Sequence, residues 1–170
     1  MAIYLDNAAT TAQKPPVVAE AVTKILQGEY GNPSRGAHGY SLAGFRVAEQ
    51  ARNELKDLFQ ADQRYEVAFT NNATVALNEV LKGLIQPGDH VITTDWEHNS
   101  VLRPLYQLEA QGVRIDIVRS QAITGRLNYS EFARKIRPET KAVICNHASN
   151  VTGNLLDLAW IKDFWCHCSA

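Results

Sequence analysis

The stretch YEVAFTNNATVALNEVLKGLIQPGDHVITT, residues 65–94, changes rhythm twice. YEVAFT (65–70) is a short β-branched and aromatic run that predicts a strand. ATVALNEVLKGLI then repeats apolar residues at helical spacing, QPGD reads as a turn, and HVITT (90–94) predicts a second strand. Strand, helix and strand within about 30 residues make a βαβ unit.

The same alternation continues downstream. SVLRPLYQLEAQG predicts a helix, VRIDIV (113–118) a strand, YSEFARKI a helix and KAVICNH (141–147) a fourth strand. Strands alternating with helices imply right-handed crossovers and a mostly parallel sheet with helices on both faces, so the fold class is α/β. Upstream the rhythm is helical. PPVVAEAVTKILQGEY places Val17, Val18, Ala21, Val22, Ile25 and Leu26 on one face, with prolines at the start where a missing N–H costs little. A loop, GNPSRGAHGYS, follows, and then a longer helix with Phe45, Ala48, Ala51, Leu55, Leu58 and Phe59 on one face. Residues 1–60 read as a lead-in segment and 61–170 as the α/β region.

Composition narrows the function. The 170 residues are 45% hydrophobic and 21% charged, which suits a soluble globular domain. Seventeen Lys plus Arg balance 18 Asp plus Glu without a basic run, which argues against nucleic acid as a partner. No apolar stretch approaches the roughly 18 residues of a membrane span, and MAIYLDNAAT lacks the layout of a signal peptide. A cytoplasmic location is the expectation. Three cysteines make no disulfide framework, and Cys145, inside an apolar strand, reads as a small buried hydrophobe. Cys166 and Cys168, in IKDFWCHCSA, lack the spacing and second ligand pair of a zinc site, so no metal is expected.

In an open α/β sheet, ligands bind beyond the carboxyl ends of the strands. Three strand ends here are unusually polar. In FTNNATVALN a helix opens at Ala73 and Thr74, whose free N–H groups and hydroxyl suit an anion; alternatively Asn72 is only a helix cap. In TTDWEHNSVLRP, His98 is placed to stack on a planar ring or move a proton; alternatively it bonds Glu97 while Asn99 caps the helix. In VICNHASNVTGN, a strand runs into Asn146, His147, Ser149 and Asn150; the alternative is an ordinary Asn and Gly turn. Together the three ends point to one pocket for a phosphorylated, planar cofactor.

YLDNAATT, GNPSRGAHGYS, FTNNATVALN, EHNSVLRPL and HASNVTGN, in this order and over nearly the whole chain to about residue 160, resemble the amino-terminal motifs of class V aminotransferase-type enzymes that use pyridoxal 5'-phosphate, most closely the cysteine desulfurases. The resemblance implies the large domain of the fold type I transferases, incomplete here. It implies that Ala73 and Thr74 hold the cofactor phosphate, that His98 stacks on the ring and acts catalytically in proton transfer, and that Asn150 bonds the phenolic oxygen. Asn7, Ala8 and His38 are implied near the substrate amino acid.

The implied reaction takes L-cysteine to L-alanine, with the cofactor as electron sink and a cysteine thiolate receiving sulfur as a persulfide. A homodimer, a sulfur-acceptor protein and a link to iron–sulfur cluster assembly follow from the same resemblance. The family's D-x-A-Q strand, its Schiff-base lysine, its sulfur-accepting cysteine and its carboxylate-gripping arginine are expected after residue 170. The seven lysines present match no such motif and read as surface charge. The expectation is therefore a truncated amino-terminal half, inactive alone, with an open sheet edge. Other class V members (an aminotransferase, selenocysteine lyase or epimerase) and a non-catalytic remnant are the alternatives.

Overall fold

The computed structural model describes residues 3–62 and 64–168. Its contacts divide the chain into two compact units, Met1–Phe69 and Thr70–Ala170.

The first unit carries two helices, α1 (Pro16–Gln27) and α2 (Gly39–Leu58). α1 starts on proline as expected, yet none of its residues is buried, and Val17, Val18, Val22 and Leu26 stand exposed. Among the described residues of this unit only Ser41 is buried; its hydroxyl donates to the Asn32 carbonyl at 2.8 Å and fixes the glycine-rich loop to α2. Gly44 is required there, because a Cβ on it would lie 2.3 Å from the Gly31 oxygen.

The strand expected over residues 65–70 does not form. A strand exists only through a neighbour's ladder, and among the described residues no segment pairs with this one. Arg52 takes up part of the run instead, donating from Nε to the Val67 carbonyl at 3.1 Å and lying 5.3 Å over the Phe69 ring.

The second unit follows the alternation read from sequence. Its elements are α3 (Ala73–Leu84), β1 (His90–Thr94), α4 (Asn99–Glu109), β2 (Arg114–Val118), α5 (Ser130–Lys135), β3 (Thr140–Ile144) and α6 (Leu158–Cys168). The three strands form a parallel sheet in the order β2-β1-β3. All five residues of the central strand are buried, as a strand with neighbours on both edges and helices on both faces must be. Val91 packs with Leu81 and Ile85 and with Val101, Leu105 and Leu108, which puts α3 and α4 on one face. Ile92 and Val118 pack on the other with Phe132 of α5 and Ile161 of α6. Phe132 is fully buried, which contributes about 1.5–3 kcal/mol, and the half-buried Trp160 stacks on Phe164 at 5.2 Å.

At the amino ends of the strands the polar groups close on one another. His90 is fully buried. Its Nε2 lies 3.1 Å from Asp116 Oδ2 on β2 and its Nδ1 lies 2.8 Å from Thr140 Oγ1 on β3. A carboxylate only accepts, so Nε2 carries the ring proton and Nδ1 accepts the Thr140 hydroxyl. Thr140 Oγ1 accepts the Arg137 amide at 2.8 Å, and the Arg137 guanidinium donates to the same Asp116 oxygen at 2.7 Å. The circuit thus starts and ends on one arginine. A one-residue slip between β1 and β3 makes it possible: Val91 pairs with Ala142 but His90 with Thr140, which keeps the Lys141 ammonium away from the imidazole.

Candidate active site

Of the expected cofactor residues in the second unit, Thr74 and His98, at the amino ends of α3 and α4, line one cleft, whereas Asn150 stands in the turn after β3 and is not among the residues that line it. Asn72 caps α3: its Oδ1 accepts the Val75 N–H at 2.9 Å and its carbonyl the Ala76 N–H at 3.1 Å. The cap therefore does not compete with an anion. Among the described residues no acceptor takes the N–H of Ala73 or Thr74, so both donors stay available at the positive end of the helix. The capping and cradle readings of this stretch hold together.

His98, not Asn99, is the cap of α4. Its Nδ1 accepts the Ser100 N–H at 3.1 Å and lies 2.9 Å from the Ser100 hydroxyl. With Nδ1 engaged as an acceptor, the neutral ring carries its proton on Nε2. The ring is exposed, so that N–H is free to meet a ligand. Thr74, Asn78 and Lys82 of α3 and His98, Ser100 and Arg103 of α4 line one cleft of about 300 Å³. Arg103 in the second turn of α4 and Lys82 in the last turn of α3 add positive charge along the walls of this cleft.

Glu97 does not pair with His98. It is turned inward, and its Oε1 accepts both the Thr94 hydroxyl and the Asn146 N–H, each at 2.7 Å. Burial pushes its carboxyl up from the ordinary value, only partly opposed by these two hydrogen bonds. The Asn146 bond also explains why β3 stops at Ile144, short of the expected 147: beyond that residue a side chain replaces the backbone partner. Cys145 beside it is half-buried, and burial, with the Glu97 charge adding, pushes its thiol up to about 11. It is no nucleophile at neutral pH.

Asn150 sits in the turn after β3, exposed, and its side chain has no hydrogen-bond partner among the described residues. Ser149, itself buried, shapes the turn, its hydroxyl accepting the N–H groups of Val151 and Thr152 at 3.3 and 3.2 Å. A third strand-end segment locks onto the other two. The Gly125 carbonyl, after β2, accepts the Trp96 indole N–H and the Asn154 amide N–H, each at 3.0 Å, while Asp95 accepts the Ser120 N–H at 2.9 Å. Sequence reading missed Glu97, Lys82, Arg103 and Gly125; only the position of Glu97 next to His98 hinted at a role.

Asn7, Ala8 and His38 belong to the first unit. Asn7 and Ala8 lie in an exposed turn closed by the Asp6 carbonyl, which accepts the Ala9 and Thr10 N–H groups at 3.2 and 3.3 Å. His38 caps α2, its Nδ1 accepting the Ser41 N–H at 3.3 Å.

Comparison with known proteins gives one family. The family model for aminotransferase class-V matches residues 3–168. The cysteine desulfurase IscS of Acinetobacter baumannii strain AYE is 36% identical over 167 residues, which are 95% of this chain and 41% of that protein. IscS of Shewanella denitrificans is 32% identical, again over 95% of this chain and 41% of the relative. Among solved structures, the cysteine desulfurase of Thermococcus onnurineus aligns over 99% of this chain and 42% of its own, with TM-score 0.86 and 29% identity. The Escherichia coli desulfurase CsdA aligns over 98% of this chain and 42% of its own, with TM-score 0.77 and 27% identity. The chain thus spans about two-fifths of the length of the relatives it matches.

Proposed function

The chain belongs to the aminotransferase class-V family of pyridoxal phosphate enzymes, of the cysteine desulfurase kind, and from that membership we propose that it supplies the phosphate- and ring-binding half of such an enzyme's cofactor site. The observation that carries this reading is the cleft that joins Thr74 to His98 below two amides without acceptors. The residues present fit the group. Ala73 and Thr74 offer backbone N–H groups and a hydroxyl to the phosphate at the positive end of α3. His98 presents the face of its ring to the cofactor and its Nε2–H to a substrate proton acceptor, held in that tautomer by Ser100. Asn150 brings an amide N–H to the phenolic oxygen. When bound, pyridoxal phosphate supplies the electron sink for an amino acid carbanion.

Asn7, Ala8 and His38 are carried forward as substrate contacts, with L-cysteine as substrate and L-alanine as product. A homodimer, a cytoplasmic setting and a sulfur-acceptor protein belong to the same proposal, as does a place in iron–sulfur cluster assembly, which the IscS name of the relatives suggests. None of the seven lysines falls in a matching motif, so this chain by itself is expected to bind the cofactor reversibly and to turn over no amino acid.

Titration of pyridoxal phosphate followed by ³¹P NMR tests the reading. Saturable binding is expected, displaced by inorganic phosphate and weakened about tenfold by Thr74→Val, the scale of one hydrogen bond to a charged group. Binding that is absent, or untouched by Thr74→Val and His98→Ala alike, overturns it. A covalent adduct on Lys82 after borohydride would overturn the expectation of reversible binding.

A further inference from the structure

Glu97 is a costly residue to keep where it is. It is only 9% exposed, burial raises its pKa, and no cation pairs with it among the described residues. A leucine would fill similar space without that cost. What the carboxyl does instead is geometric. The β1–β3 ladder ends at the pair Thr93 and Ile144, because the backbone after Thr94 turns away to start α4. Two residues beyond the ladder, Asn146 would have lost its acceptor; Glu97 Oε1 meets it at 2.7 Å, across 49 residues of sequence. Thr94, whose own Oγ1 accepts the Trp96 N–H at 3.2 Å, donates to the same oxygen and fixes the carboxyl on the other side. One residue after Glu97 stands His98, and four after Asn146 stands Asn150.

We propose that Glu97 is a positioning residue of the cofactor site: by holding the Asn146 amide it extends the β1–β3 pairing past the ladder and fixes the His98 segment against the Asn150 turn. The inference rests on the reading of this end as the pyridoxal phosphate site. It assigns Glu97 to the ring contacts alone, since the phosphate contacts at Ala73 and Thr74 stand on α3 and do not pass through it.

That division makes the test. Glu97→Gln keeps an acceptor at Oε1 and is expected to leave pyridoxal phosphate affinity within about threefold of the unsubstituted chain. Glu97→Leu removes the acceptor, and Glu97→Asp withdraws it by one methylene; if the leucine variant fails to fold, the aspartate variant carries the test. Each is expected to lose amide-exchange protection at Asn146 and to weaken pyridoxal phosphate at least tenfold, while inorganic phosphate binds as before. Equal loss of both ligands, or loss of neither, overturns the inference and leaves the cofactor reading standing when the unsubstituted chain binds. An unsubstituted chain that binds neither ligand removes the reading and the inference together.

Discussion

The two ends of the three-stranded sheet use polar residues in opposite ways. At the amino end, both nitrogens of the buried His90 ring are satisfied, by Asp116 and by Thr140, and Arg137 closes the circuit between those two. At the carboxyl end, among the described residues, hydrogen-bonding capacity is left over: Thr93 Oγ1 is buried without a partner, the exposed Asn150 amide meets none, and the first amides of α3 have no acceptor. A buried polar group without a partner costs about 1–3 kcal/mol. Both ends are built from the same strands, so the contrast separates polarity that completes a fold from polarity held ready for a ligand.

Breaking the closed end has the largest expected effect. Asp116→Ala strands the buried His90 Nε2–H, while the half-exposed Arg137 guanidinium turns to water, and should cost about 1–3 kcal/mol in urea unfolding at neutral pH while leaving pyridoxal phosphate binding unchanged. A loss under about 0.5 kcal/mol, the size of an ordinary surface change, would dissolve the contrast.

Next comes the clamp at the open end. Gly125 has φ +65°, and a Cβ there would lie 2.5 Å from Asn154 Nδ2. Gly125→Ala should cost about 1–2 kcal/mol from the backbone conformation alone. It should also release the Trp96 indole and the Asn154 amide together, seen as faster exchange of both N–H groups; release of one without the other would show that the carbonyl is not a shared anchor.

The smallest effect is one of sign. His90 has its pKa lowered, chiefly by burial and by the Arg137 charge, against the pull of Asp116 and Glu139. Its stabilising contribution is complete above the ordinary 6.5 and is lost as pH falls through the lower folded value. Glu97 has its pKa raised, so its contribution is complete below the ordinary 4.5 and is lost as pH rises through the folded value. Unfolding free energy measured against pH should therefore decline below 6.5 for one reason and above 4.5 for another. Glu97→Gln should abolish only the second decline; a profile that Glu97→Gln leaves unaltered would show that Glu97 is not its source.

The second unit was largely legible because its cues are local. Residues 90–94 and 114–118 carry their strand character in five consecutive side chains, and α3 announces itself through Asn72 and the spacing of Leu77, Leu81 and Ile85. The same local cues misread residues 65–70, where β-branched composition is present and the partner strand is not. The site was half legible. Thr74 and His98 stand at strand and helix ends that sequence alone can locate, but the helix cap read as an alternative at Asn99 falls to His98, and Glu97, read there as the partner of His98, turns inward instead. A histidine accepting its own helix's amide through Nδ1 leaves no pattern that distinguishes it from one paired with a neighbouring acid. Gly125 and the His90 circuit were invisible, since their partners lie 21 to 50 residues away and meet only through strand register.

That register slip at Lys141 has a consequence in time as well as in space. His90 reaches Asp116 across 26 residues but Thr140 across 50, and ordering a chain over longer separations is slower. During folding, β1 and β2 can pair while the imidazole still has one nitrogen facing water. Only the arrival of β3, offset by one residue, brings Thr140 and Arg137 and seals the ring. The circuit therefore marks the completion of the sheet.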